Sequence, residues 1–394
     1  MSPPGAVPRV SDRTYLALAV LAWLVTYSVV GALVCTTTVY NTITYDVYVA
    51  AAQRWWAHAP LYDLSSVDDF QYLPHAALLF SPFAYLGTPL GELLWRGCCW
   101  ALFAHGVWRV ARHLAPTAPG KAFFLATALT IAPSVNSLGI GQSNLLLAAA
   151  TLHVAADLVE RRFWRATGLL MLGLAAKPLM AVLLLLVGAL YRPTRWRIPL
   201  ALGVLFALPC LASDPAYVLE QYRGFLAKSR LTANPHRLFE DANGLLTSAG
   251  VVLPYTSLVA VRALAAVGTL ALCARAKRAF PDARAALYVA ALAVAYLMLF
   301  NPRTQSNSYS IAAPLVGLLA AGYLLEQRWA AAGALVAVTL CWAGNTHWMV
   351  WPEFWLKPLA CAGFAALLAW DLFRAPLSPS PTKRRSAATR PRAR

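Results

Sequence analysis

Apolar residues occur in long blocks separated by short polar clusters, and the blocks recur from near the amino terminus to residue 372. Twelve stand out: 15–34, 91–111, 121–137, 141–158, 166–176, 178–190, 197–212, 256–275, 284–300, 308–325, 329–347 and 354–372. Several approach the ~20 residues that a helix needs to cross a ~30 Å hydrocarbon layer. The pattern predicts an all-α, polytopic helical membrane protein with about twelve membrane-embedded segments.

Two stretches test that topology. Ala166–Leu190 is flanked by arginine clusters at both ends and carries Lys177-Pro178 in its middle. A proline inside a helix removes an amide and clashes with the preceding turn. The stretch therefore predicts two short half-spans that return to the side they left. Leu73–Leu86 is short and carries Pro74 and Pro82. At ~14 residues it is too short to cross, which predicts an interfacial segment along the outer surface.

Composition narrows the class. Of 394 residues, 59% are hydrophobic and 12% charged, about half the charged share of a soluble domain. A soluble enzyme, a secreted disulfide scaffold and a disordered chain are excluded. The net charge of +17 suggests nucleic acid until its position is considered. With a cytoplasmic amino terminus and alternating sides, cytoplasmic segments and span ends hold 23 of the 33 Lys and Arg, and the outer side holds ten of the sixteen carboxylates. That asymmetry is what orientation by positive charge produces. Nucleic acid is not an expected partner.

The chain reads as one membrane domain, 1–375, with external loops at 35–90 and 213–255. A basic tail, 376–394, is expected to be disordered against anionic lipid in the cytoplasm. The expected location is the cell membrane, crossed several times with both termini in the cytoplasm, and the first apolar run reads as a retained anchor. Most of the seven cysteines fall in spans, where they act as small apolar residues. Cys35 and Cys210 lie near the outer boundary. There is no zinc-ligand spacing, phosphate-binding glycine loop, dinucleotide fingerprint or nucleophile elbow.

Candidate chemistry gathers on the outer side. From Asp46 onward the first loop has a helical pattern for about three turns, and Trp55 and Trp56 suit a membrane interface. Asp46 near that helix start reads either as an N-cap or as a general base for a hydroxyl. Asp63, Asp68 and Asp69 read as solvated loop carboxylates. His75 opens the interfacial segment, as a phosphate or sugar contact or as a boundary polar residue. The second loop carries Tyr217, Tyr222, Arg223, Lys228, Arg230, His236, Arg237, Asp241 and Asn243, a density suited to a sugar cleft or to a structured loop. Few charges are placed deeper: Lys177, Arg262, Glu92 and Arg96. A cation at a broken half-span is costly unless an anion or water meets it, and a lipid phosphate is the natural partner for Lys177.

The succession Tyr45-Asp46-Val47-Tyr48, Pro60-Leu61-Tyr62, Phe70-Gln71-Tyr72-Leu73-Pro74-His75, Leu94-Trp95, Gly141-Gln142-Ser143-Asn144, Gly173-Leu174-Ala175-Ala176-Lys177-Pro178 and Asn301-Pro302-Arg303 resembles glycosyltransferase family 87. These are membrane enzymes of the C-type glycosyltransferase fold, typified by polyprenol-phosphate-mannose-dependent mannosyltransferases. The resemblance implies a sugar donor on polyprenyl phosphate at the outer leaflet, a glycolipid or glycan hydroxyl as acceptor, inversion at the anomeric carbon, and no bound metal or other cofactor. It places Asp46 as catalytic base; beside it, the residues themselves offer Lys177 and Arg303 as candidates to stabilise the leaving phosphate, and Tyr48, Tyr72, His75, Gln142 and Asn144 as candidate substrate contacts. Some members carry histidines after the turn near 301. This chain has Asn301-Pro302-Arg303-Thr304-Gln305-Ser306-Asn307-Ser308-Tyr309 there, so Arg303, Asn307 or Tyr309 is expected to substitute, and the donor sugar stays open between mannose and other sugars. The competing class is a transporter or flippase of lipid-linked sugars.

Overall fold

Each of the twelve apolar runs is helical over most of its described length. The computed structural model describes residues 10–37, 43–66, 68–233, 238–344 and 354–376. The tail beyond 376, His236, Arg237 and His347 lie outside the described residues. Sixteen α-helices follow in order: α1 (Asp12–Thr36), α2 (Ile43–Trp56), α3 (Pro74–Tyr85), α4 (Leu90–Leu114), α5 (Pro119–Gly139), α6 (Asn144–Val159), α7 (Phe163–Ala176), α8 (Ala181–Leu190), α9 (Arg197–Ala207), α10 (Pro215–Thr232), α11 (Ala242–Ser248), α12 (Tyr255–Ala279), α13 (Asp282–Phe300), α14 (Ala313–Leu325), α15 (Trp329–Ala343) and α16 (Leu356–Arg374). No strand occurs among the described residues.

Six helical stretches are long and apolar enough to cross a membrane by themselves: those at 12–36, 119–139, 192–211, 255–279, 282–300 and 356–374. Shorter apolar helices make up 144–159, 163–176, 178–190, 313–325 and 329–343. The 25-residue α4 is not among the six; it carries Glu92, Arg96, Arg109 and Arg112. Burial separates centre from periphery. Along α6 every residue from Asn144 to Leu158 is buried, and α13 and α14 are nearly as enclosed. The peripheral α1 and α12 turn Leu21, Leu24, Val29, Leu264 and Val267 outward. In water such faces would be an aggregation hazard, whereas against lipid tails they cost nothing. The protein is a membrane protein.

One end of the bundle is laced with ion pairs. Arg109 of α4 meets Asp157 and, at 2.9 Å, Glu160 at the end of α6, where His113 and Arg162 also converge. Arg284 at the start of α13 reaches Glu326 at 2.9 Å and Asp371 at 3.1 Å, and Arg328 joins them. These are the ends the charge asymmetry assigns to the cytoplasm.

The proline-broken stretch returns to this end, as its flanking arginines require. Arg162 and Arg165 at the start of α7 face Glu160 and Asp157, while the Leu190 carbonyl closing α8 accepts from Lys277 Nζ at 3.0 Å. The depth differs from the sequence expectation. Lys177, at the tip, bonds to Asn144, the first residue of α6. At 1.5 Å per residue, α7 rises about 21 Å and α6 about 24 Å. The tip therefore reaches the opposite end of the bundle rather than stopping half-way.

Candidate functional site

The opposite end opens into a polar cavity of about 540 Å³. Five stretches wall it: the first turns of α2, the loop 68–72, the turn 140–142 before α6, the Lys177-Pro178-Leu179 tip, and 301–308 after α13, with α10 as a further wall. A groove of about 520 Å³ between α1, α4 and α5 is lined almost wholly by apolar and aromatic side chains, with His105 its one ionisable imidazole or charge. The first, with its ionisable and amide groups, is the candidate site.

Its floor is built at the α5–α6 turn. Gly141 adopts φ +68°, the left-handed region that glycine enters without strain. A Cβ there would lie 3.2 Å from the Arg96 guanidinium carbon. Arg96, 1% exposed, donates to the Leu138 and Gly139 carbonyls at 3.0 and 2.9 Å, capping α5, and is neutralised by Glu92 at 2.7 Å. Trp95 Nε1 donates to the Gly141 carbonyl at 2.7 Å. The two deep charges of α4 thus secure the turn that carries Gln142 and Asn144. Asn144 Nδ2 donates to Gln142 Oε1 at 2.6 Å and to the Asn307 carbonyl at 3.1 Å, and its Oδ1 accepts from Lys177. Lys177 forms no ion pair with a carboxylate among the described residues.

Above this floor, the Tyr48 hydroxyl lies 3.2 Å from the hydroxyls of both Tyr72 and Ser143 and accepts from the Ser143 amide at 3.2 Å, joining α2, the loop and the turn. Arg303 stands over the Phe239 ring with its guanidinium carbon 5.6 Å from the centroid, and its Nη2 is 3.7 Å from Asp68 Oδ1.

The loop 60–72 is clamped by α10. Gln221 Oε1 accepts from the Leu61 amide at 2.9 Å, Tyr62 packs over Gly224, and Lys228 donates to the Asp63 and Ser66 carbonyls. Burial lowers the Lys228 amine from its usual range, partly offset by Asp69 and Asp63. Asp63 itself is lowered by the Ser65 hydroxyl and amide that bond to it. Gly224 matters here because a Cβ would sit 2.8 Å from the Tyr62 ring.

Of the residues singled out from sequence, Tyr48, Tyr72, Gln142, Lys177, Arg303 and Asn307 meet at this cavity, with Asn144 buried directly behind its floor. Three do not. His75 is buried in α3, with Nε2 2.8 Å from the Leu205 carbonyl, and burial lowers its pKa. Tyr309 is buried, donates to the Glu240 carbonyl at 2.9 Å and packs on Trp342. Asp46 lies in the first turn of α2 but is exposed and outside the cavity wall. The wall instead contains Asp68 and Asp69, which the sequence marks only as loop carboxylates, together with Gln71, Lys228 and Gln305. The run Asp68-Asp69-Phe70-Gln71-Tyr72, polar groups around one buried aromatic, is the signal that a loop folds inward there.

The family comparison covers this same ground. The model of glycosyltransferase family 87 matches residues 70–302, more than half of the chain and more than half of the residues that wall the cavity. The chain belongs to glycosyltransferase family 87. This family-87 member is therefore a membrane glycosyltransferase, with a sugar donor and an acceptor as its substrates. No curated protein and no solved structure matches it.

Proposed function

We propose that this family-87 protein transfers a sugar, a hexose such as mannose, from polyprenyl phosphate to a hydroxyl of a lipid or glycan on the outer face of the cell membrane. The observation that carries this reading is Lys177: a cation at the floor of a polar cavity, held by a neutral amide and forming no ion pair with a carboxylate among the described residues. Such a charge is stabilised by an anion from outside the protein, and a lipid phosphate brings one. Arg303 lines the same cavity.

The reaction is a single displacement with inversion. The acceptor oxygen forms a bond to the anomeric carbon as the bond from that carbon to the phosphate oxygen breaks. The electron pair leaves with the phosphate, where Lys177 and Arg303 stabilise the growing charge. The acceptor proton passes to a carboxylate. Tyr48, Tyr72, Gln142 and Asn307 offer hydroxyl, amide and carbonyl groups to sugar hydroxyls. No nucleotide enters this scheme.

Vesicles containing the full chain and labelled polyprenyl-phosphate sugar test it against movement of intact lipid-linked sugar. Release of free polyprenyl phosphate with label appearing in a new glycolipid is the expected result. Label crossing between leaflets still attached to polyprenyl phosphate would overturn it.

A further inference from the structure

Two basic turns lie side by side at the end of the bundle opposite the cavity. The turn into α7 carries Arg161, Arg162 and, within the first helical turn, Arg165. The turn from α8 into α9 carries Arg192, Arg195 and Arg197. Aromatic rings join them: Trp164 and Trp196 meet edge to face with centroids 5.1 Å apart.

The neighbouring arginines at this end are neutralised from within. Arg109 meets Asp157 and Glu160, while Arg284 and Arg328 meet Asp371 and Glu326. Arg162 and Arg165 share the first of these carboxylate pairs, at 3.1 Å from Glu160 and 3.7 Å from Asp157. Arg161, Arg192, Arg195 and Arg197 form no ion pair with a carboxylate among the described residues. Arg195 and Arg197 donate instead to backbone carbonyls, those of Ala189 at 3.0 Å and of Pro193. The Arg197 guanidinium carbon lies 4.5 Å from the Trp196 centroid and 5.2 Å from that of Trp164. Its Nε is buried with no hydrogen-bond partner among the described residues. Indole faces attract a cation but do not cancel its charge. Positive charges set side by side repel, and an anion from outside the protein relieves that repulsion.

Position decides which anion. Trp196, Leu200 and Val204 follow at intervals of four and share one face of α9, and all three are exposed. On α7, Trp164 and Gly168 share a face in the same way, and nothing lies within 4 Å of a Cβ built at Gly168. Half-exposed indoles beside such an apolar strip mark the level where hydrocarbon gives way to headgroups. Arg165, Arg195 and Arg197 flank those indoles in sequence. An occupant that uses both features carries a negative group next to a long apolar chain. Guanidinium forks match phosphate oxygens in particular.

We propose that these paired turns bind an anionic phospholipid of the leaflet at that end, the cytoplasmic leaflet on the topology read from charge. Its phosphate sits against Arg195 and Arg197, Arg161 and Arg192 add charge around it, and an acyl chain lies on the strip between α7 and α9. The site is at the base of the α7–α8 hairpin, whose tip carries Lys177. It is independent of the sugar-transfer reading.

The test titrates the full chain, delipidated in detergent, with phosphatidylglycerol and with phosphatidylcholine, and reads bound lipid by native mass spectrometry. Phosphatidylglycerol should bind at least about tenfold more tightly than phosphatidylcholine. One basic residue beside an anionic lipid contributes about fivefold in affinity. Arg195→Gln with Arg197→Gln should therefore weaken phosphatidylglycerol binding by about 30-fold and leave phosphatidylcholine within about threefold. Arg112→Gln with Arg278→Gln removes the same charge from the same end, at exposed positions outside the two turns, and should stay within about threefold of wild type for both lipids. If the first pair does not elute as a single monodisperse species, Arg161→Gln with Arg192→Gln, both exposed, is read in its place with the same expectation. Equal binding of the two lipids overturns the site, as does equal loss in the turn variant and the Arg112/Arg278 variant, or no loss in either. Displacement of phosphatidylglycerol by soluble glycerol phosphate overturns the lipid in favour of a free phosphate.

Discussion

Lys177 shows how one residue can carry a functional argument. Its backbone is extended at the end of α7, and Pro178 forbids the helix from continuing, so its side chain is delivered to Asn144 rather than along α7. Charge-assisted hydrogen bonds to an anion are worth roughly 1.5–3 kcal/mol, which is about 10- to 150-fold in affinity. Lys177→Met should weaken binding of a polyprenyl-phosphate sugar by that factor while leaving acceptor affinity within a few-fold. Equal loss of both, with poor recovery of folded protein, would make Lys177 a folding residue. The lysine and its proline were legible in the sequence, as was the anion they suggest. Their position was not: a half-span implied mid-depth, and only the antiparallel pairing of α7 with α6 places the tip at the cavity floor. The carboxylates show the reverse. Asp46 draws attention in the sequence by its neighbours, yet whether a carboxylate meets a cavity depends on helix phase and on what packs against that face, and Asp69 met the cavity where the sequence reads as a solvated loop.

Among elements, α10 has the least obvious role in sequence and the clearest in structure. Its pattern is polar and aromatic, compatible with any structured external loop. In the fold it lies over the loop 60–72 and satisfies that loop's backbone from one side. Lys228 is 1% exposed, so its amine serves the Asp63 and Ser66 carbonyls rather than solvent. Lys228→Met leaves both carbonyls without this partner, at a cost of about 1–3 kcal/mol each where water cannot reach them. Amide hydrogen exchange across 60–72 should accelerate and sugar transfer should fall, because this loop carries Asp69, Gln71 and Tyr72 of the cavity wall. Unchanged exchange in 60–72 would remove α10 from its clamping role. The α3–α4 contact is similarly strict: a Cβ at Gly91 would lie 2.0 Å from the Phe83 carbonyl oxygen, so only glycine lets these helices approach.

At the scale of the whole molecule, the networks around Arg109 and Arg284 lie at one end and the polar cavity at the other. If the basic end is cytoplasmic, the cavity faces the outer leaflet and meets donors delivered there. Cysteines placed at exposed Ser65 and Arg161 in a cysteine-free background test the orientation. Ser65→Cys should react with a membrane-impermeant maleimide in intact cells, and Arg161→Cys only after permeabilisation. The opposite pattern would place the cavity in the cytoplasm and remove the outer-leaflet donor.

Periodicity and charge, read alone, determined that this chain is helical, where its apolar helices run, that the 166–190 stretch turns back, and which family motifs it carries. These are local properties: each depends on runs of neighbouring residues and on the proline that breaks them. Which polar groups share a cavity was decided only by tertiary structure. It brings residues from 44 to 308 to one end of a bundle through helix phase and inter-helix packing, and neither is written in any single segment. The same fold buried His75 and Tyr309, left Asp46 exposed on α2, and put Asp69 on the cavity wall.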